Sequence, residues 1–228
     1  MSPRVRHEQE KEQMKQLILK AAIEITADIG YEKLSMRKIA DVIGYTPTTI
    51  YLYYKDKEEI VADIFKIVYR EIILNVQNVI HKNTNLPIDQ QLKLILESFI
   101  ETIVSKPEMG KVIIASGPKT MFGTDSREDV AGHGEEHGLD ILHQFLIRGV
   151  QQGIFRPLDE NMSWMVITAL IGFSIGAIEN KMYLQENWKH LVHVYTEMLI
   201  NGLLVKKEQP LDVDAILDAI RNTLIGEK

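Results

Sequence analysis

Between Gly30 and Glu59 the chain reads GYEKLSMRKIADVIGYTPTTIYLYYKDKEE, and this stretch limits the fold more than any other. Ser35 is a good N-cap for a helix whose Ile39, Ala40 and Ile43 face one side. Gly44 stops that helix after about two turns. Thr46 and Pro47 then form a strong start signal. Threonine caps free amides, and proline at the first helical position gives up no needed hydrogen bond. The short helix so begun is expected to run to about Tyr54. Asp56, with Glu59 three residues on, opens the next helix in the manner of a capping box. Two short helices joined by a tight turn, the second rich in threonine and tyrosine, have the layout of a helix-turn-helix whose second helix enters the DNA major groove.

The chemistry of that second helix suits the task. Thr48 and Thr49 each offer a hydroxyl and a methyl, and the methyl packs on the thymine C5 methyl. Tyr51 and Tyr53 offer rigid rings whose phenols reach phosphate oxygens. Ile50 is the expected apolar anchor. Arg37 starts the preceding helix within reach of a base or phosphate, and Lys57 lies at the next helix start, beside free amides that grip a backbone. The net charge of −6 looks wrong for a DNA binder, but its distribution is not. From Lys33 to Lys57 five basic residues (Lys33, Arg37, Lys38, Lys55, Lys57) face two acids (Asp41, Asp56), and local sign matters more than the total.

At these residues the chain resembles the tetracycline-repressor (TetR) family of bacterial transcription regulators. The resemblance runs over roughly residues 12–60. It is carried by Ala21-Ala22, Gly30-Tyr31, Leu34-Ser35-Met36-Arg37, Ile39-Ala40, Ile43-Gly44, Thr46, Ile50-Tyr51, Tyr54 and Lys57-Glu58. It implies a homodimer on an inverted-repeat operator, with an all-helical C-terminal body that binds a small inducer. By position, the family's DNA contacts fall on Arg37, Pro47, Thr48, Thr49, Tyr51, Tyr53 and Lys57. Family members often carry glycine, glutamine or serine where this chain has Thr46-Pro47-Thr48, and commonly phenylalanine near Tyr54. Those side chains set the operator sequence, so the departures bear on which operator is read.

The rest of the chain is helical in pattern. In the first helix Leu17, Ile18, Ala21, Ala22, Ile25 and Ile29 share one face, and Gly30 ends it. Further helices are expected at about 57–81, 88–104, 107–115, 127–152, 160–181, 187–205 and 212–225. No alternating strand pattern of useful length interrupts them. The expected fold class is all-α, with a helix-turn-helix DNA-binding domain over 1–56 and a helical ligand-binding and dimerisation domain over 57–228. At 228 residues and 45% apolar content the chain easily supplies a core. It has no cysteine, which excludes disulfides, thiolate metal sites and a cysteine nucleophile. With no secretory signal at the start of the sequence, a cytoplasmic location is expected.

Asn161 to Ile178 is an uncharged run of 18 residues, which borders on a membrane span. Flanking charges (Asp159, Glu160, Glu179, Lys181) and internal Ser163, Thr168 and Ser174 favour a buried helix, with no membrane partner. Ala169, Gly172 and Gly176 line one stripe and permit close helix approach. The following helix carries Leu191, Val194, Tyr195, Met198, Leu199 and Leu203. These two helices are expected to form a four-helix dimer interface with their symmetry mates, the alternative being intramolecular core. Met109, Met121, Phe122, Phe145, Trp164, Met165, Phe173, Met182 and Tyr183 are bulky, adaptable residues in the central helices. They suit a forgiving cavity for an apolar or amphipathic inducer, or else simply fill core.

Two rival classes also fit parts of the sequence. His133 and His137, near Glu136, Asp140 and His143, have the spacing of a divalent-metal site and would serve a helical metal-dependent enzyme. Gly132, Gly134 and Gly138 weaken the helix that such a site needs, so no metal or other cofactor is expected. A membrane-associated helical adaptor would use Asn161 to Ile178. The sequence holds no phosphate-binding glycine loop, nucleophile elbow or HExxH motif, and the expected protein is not an enzyme. The favoured reading is a ligand-responsive repressor whose partners are double-stranded operator DNA, a second copy of itself and a small inducer.

Overall fold

The computed structural model describes residues 3–116 and 138–205. Helix α1 spans Pro3–Ile29, and a 3-10 turn over Tyr31–Lys33 leads to α2 (Met36–Ile43) and α3 (Pro47–Tyr51). The body follows as α4 (Lys57–Lys82), α5 (Ile88–Val104), α6 (Pro107–Ser116), α7 (Gly138–Gln151), α8 (Met162–Glu179) and α9 (Trp188–Leu203). Among the described residues the architecture is all-α. The one extended pairing there is an isolated bridge between Phe155 and Leu204. The expected helix over 212–225 and the first part of that over 127–152 lie outside the described residues.

Local chemistry sets the helix ends. Gly30, at φ 88°, closes α1 by donating its N–H to the Thr26 carbonyl at 3.0 Å. The Ser35 hydroxyl accepts the Lys38 N–H, and Gly44 leaves α2 in the left-handed region at φ 75°. Asp56 caps α4 by accepting the Glu59 N–H at 2.8 Å. The reciprocal half of this capping box is shifted by one residue: Glu59 Oε2 accepts the N–H of Lys55, at 2.6 Å, and not that of Asp56. Helix α9 stops at Leu203 because the backbone there pairs sideways. Arg156 N–H donates to the Leu203 carbonyl at 2.9 Å, and Val205 N–H to that of Ile154 at 3.0 Å.

Helix α5 is the axis of the body, packing against α4, α6, α7, α8 and α9. Its Leu92 and Ile100 are wholly buried, as are Ile60 and Ile64 of α4. Head and body share one continuous core, because α1 packs against α2, α4 and α6. Helix α8 is apolar and long enough to cross a membrane by composition alone, with a mean hydropathy of 1.6. It packs on α5, α6 and α7, burying Val166, Leu170, Ala177 and Ile178. Two glycines mark close approaches. A Cβ at Gly110 of α6 would lie 2.6 Å from Ile178 of α8, and one at Gly149 would lie 1.9 Å from the Phe155 ring.

Candidate nucleic-acid interface

The helix-turn-helix is built on two buried anchors, Ile50 and Tyr54, which fix the faces that the rest of α3 presents. Thr46 caps α3: its Oγ1 accepts the Thr49 N–H at 3.2 Å. The Thr46 and Thr49 hydroxyls also meet at 2.9 Å. Thr49 therefore spends its hydroxyl locally, whereas Thr48 is exposed. Tyr51 stands outward at 57% exposure. The helix is shorter than expected, ending at Tyr51 and not near Tyr54. Leu52 and Tyr53 N–H groups reach the carbonyls three residues back, tightening the chain so that Tyr54 turns into the core. Tyr53 thus lies in the turn after α3 and is half-buried.

The other candidates sit around this helix. Arg37, on the first turn of α2, is exposed, and Pro47 is half-buried at the first position of α3. The Lys57 ammonium lies 4.2 Å from the centroid of the Tyr31 ring, so α4's first residue is held against the turn that follows α1. Burial first, then the carboxylates of Glu58, Glu32 and Asp56, push the Tyr31 phenol above its ordinary pKa. Sequence reasoning passed over Tyr45, which stands 45% exposed in the turn between α2 and α3, and Lys55, exposed just before α4. The signal for Tyr45 was its place between Gly44 and the Thr46 cap, where a ring has no core to enter.

Tyr54 is the most perturbed group in the head. Burial first, then the Asp63 carboxylate and the hydrogen bond to it, raise the phenol far above the usual tyrosine value of 10.0. A raised acid pKa in the folded state means full stabilisation below the unfolded value. That stabilisation is lost as pH climbs from about 10 toward the folded value. Wild-type stability is therefore expected to fall as pH rises past about 10, and Tyr54→Phe to fall less steeply. Urea midpoints measured between neutral and alkaline pH check this.

In the body the candidates divide between two environments. Ala169, Gly172 and Gly176 on α8, and Leu191, Val194, Tyr195, Met198 and Leu199 on α9, form a surface that the single chain leaves partly or largely uncovered. Val194 is 48% and Met198 60% exposed. Met165 does not join the interior residues with which it was grouped. At 60% exposure it continues the α8 stripe four residues before Ala169. Phe173 of α8, grouped with the ligand residues, stacks instead on rings of α9: its centroid is 4.1 Å from that of Tyr195 and 5.8 Å from that of Trp188. The Tyr195 hydroxyl donates to the Ala169 carbonyl at 2.6 Å.

Phe145 is buried in α7, and Met109, Trp164, Met182 and Tyr183 are half-buried. Met121, Phe122, His133 and His137 lie outside the described residues. A cleft of about 400 Å³ opens between α4 and α5, with Asn75, Val79, Lys82, Glu101 and Thr102 among its lining residues. None of the proposed ligand residues lines it. His143 is exposed on α7, with Nδ1 3.3 Å from the Ser163 hydroxyl. Among the described residues no three histidine or carboxylate groups converge as a metal site.

A capped, tyrosine-bearing second helix on an all-helical body has the layout of a helix-turn-helix DNA-binding head. Residues 18–64 match the family model described as bacterial regulatory proteins, tetR family. That match takes in the second half of α1, all of α2 and α3, and the first two turns of α4. The fatty acid metabolism regulator protein of Bacillus subtilis is 45% identical over 49 residues, a match spanning 22% of this chain and 25% of that relative. An HTH-type transcriptional regulator of the same organism, YhgD, is 23% identical over 156 residues, 68% of this chain and 79% of the relative. Among solved structures, the regulator FadR from Bacillus subtilis, in complex with stearoyl-CoA, has the same fold. It superposes with a TM-score of 0.64 at 23% identity, covering 82% of this chain and 98% of that one.

Proposed function

We propose that the protein is a homodimeric repressor that binds an inverted-repeat operator and is released by a small amphipathic inducer. The observation that carries the DNA half is the outward set of Thr48 and Tyr51 on a helix locked by the Thr46 cap, with Arg37 and Lys57 flanking it. Thr48 reads base edges, the Thr49 methyl packs on thymine, and Tyr51, Tyr53, Arg37 and Lys57 hold phosphates. Pro47 preorganises the helix start that faces the groove. The head ends at residue 56, and α4 carries it into a body, residues 57–228, that dimerises and takes the inducer. The protein works in the cytoplasm, without a membrane partner.

The exposed stripe on α8 and α9 supports dimerisation. Exposed Met165 and Gly172 on α8, and exposed Val194 and Met198 on α9, suit an isologous four-helix contact. For the inducer, the apolar and aromatic residues of the body suit a long acyl chain. The regulator FadR from Bacillus subtilis, with this fold, was solved with stearoyl-CoA, which makes acyl-CoA the first class to test. Sedimentation equilibrium at micromolar concentration is expected to give the mass of two chains. Stearoyl-CoA is then expected to release operator DNA from the dimer in a fluorescence anisotropy titration. Because a ligand shifts an equilibrium only through its differential affinity, acyl-CoA that binds without weakening the operator complex would contradict this assignment.

Tyr51→Phe is expected to weaken operator binding by about 0.5–1.5 kcal/mol, the net value of one phenol-to-phosphate hydrogen bond. The same anisotropy assay measures it, and an unchanged affinity would remove Tyr51 from the contact set.

A further inference from the structure

Tyr54 sits where the reading hairpin hands over to α4, and its side chain is 1% exposed. Its hydroxyl donates to Asp63 Oδ2 at 3.1 Å. Asp63 belongs to the second turn of α4. The same carboxylate has the Lys15 ammonium of α1 at 3.5 Å and that of Lys66 at 3.6 Å. Lys15 also lies over the Tyr54 ring, 4.9 Å from its centroid. Three elements, α1, the end of the hairpin and α4, therefore meet at one carboxylate.

A phenylalanine at this position would fill the same space but leave the carboxylate to the lysines. Packing alone lets a ring slide, whereas a hydrogen bond to a charged acceptor fixes distance and direction. The Tyr54 N–H also donates to the carbonyl of Ile50 at 3.1 Å, so the place of the ring is passed directly to the anchor of α3. Neither Tyr54, which is buried, nor Asp63, whose charge repels phosphate, is itself suited to touch DNA.

We infer that Asp63 is a positioning residue for DNA reading, which through the Tyr54 hydroxyl sets the angle between α3 and the body helix α4. This rests on α3 being the helix that reads the operator. Base-edge contacts need a fixed geometry, and phosphate contacts tolerate much more. Loosening the latch therefore costs discrimination between sequences before it costs total affinity.

The test uses the full chain, Tyr54→Phe and Asp63→Asn, each held well below its own Tm. Affinities are measured at one salt concentration for an operator selected by the wild type and for a scrambled duplex of equal length. Tyr54→Phe is expected to lower operator affinity about 10-fold, because α3 is no longer held at its reading angle before DNA arrives, with scrambled DNA changed by less than ~2-fold. Asp63→Asn keeps an oxygen for the Tyr54 hydroxyl, so its loss of discrimination is expected to be smaller. Unchanged discrimination in Tyr54→Phe would overturn the inference. So would an equal loss on both duplexes, since that marks a merely structural role. If the wild type itself selects no operator, the assignment of α3 as the reader fails, and the latch with it.

Discussion

Val194→Asp is expected to turn the proposed dimer into a monomer while each chain keeps its fold. Val194 is 48% exposed on α9, so a carboxylate there stays hydrated in the single chain and costs it little. In an isologous interface the same substitution places one charge from each chain in the contact, on the surface shared with Met165, Gly172 and Met198. Desolvating two unpaired carboxylates costs about 3–5 kcal/mol or more, which raises the dimer Kd by roughly two to three orders of magnitude or beyond. Operator affinity then collapses, because one head makes half of the phosphate contacts and the slope of affinity against salt falls by about half. Sedimentation velocity and a salt titration of DNA binding measure the two effects. A Val194→Asp protein that stays dimeric would place the interface elsewhere.

The second large effect is on stability. Gly149→Ala is expected to cost about 3 kcal/mol or more, toward the upper end for overpacking a closed core. The new Cβ would lie 1.9 Å from Cδ2 and 2.3 Å from Cε2 of Phe155. Phe155 has no room to retreat. Its side chain is 1% exposed, and its backbone is tied by its N–H to the Gly149 carbonyl at 3.0 Å and by the bridge to Leu204. The strain falls at the junction of α7 with the end of α9, far along the chain from the reading head. Thermal unfolding of the two proteins at matched concentration reads the cost. A shift in Tm of under a degree would show that the ring moves aside freely.

What the sequence revealed, and what it hid, follows from the range of each interaction. The caps at Ser35, Thr46 and Asp56 and the stops at Gly30 and Gly44 act over three or four residues, and they were legible because the partner is the local backbone. The all-α class was legible for the same reason, through periodicity. The length of α3 was not. Its early end is imposed by Tyr54 turning inward to Asp63, a partner nine residues away whose approach depends on how α1 crosses α4.

Helix α8 hid its faces for a different reason. Asn161 to Ile178 holds no charge, so no polar side marks the outside, and Met165 was grouped with interior residues although it stands on the surface. Helix α9 is punctuated by His193, Glu197 and Asn201, and there the apolar stripe was legible. The one-residue shift in the α4 capping box, with Glu59 reaching Lys55, turns on backbone angles that residue types do not specify. Tyr45 was not legible because its exposure comes from the turn and not from a helical face.

As proposed, α3 reads DNA and a dimer presents it twice. Selection of binding sites from random-sequence duplex DNA with the purified full-length protein, read by sequencing, tests that most directly. The predicted result is an enriched inverted repeat whose half-site centres lie about one helical turn, ~34–36 Å, apart. No enrichment at low salt from a folded dimer would contradict it.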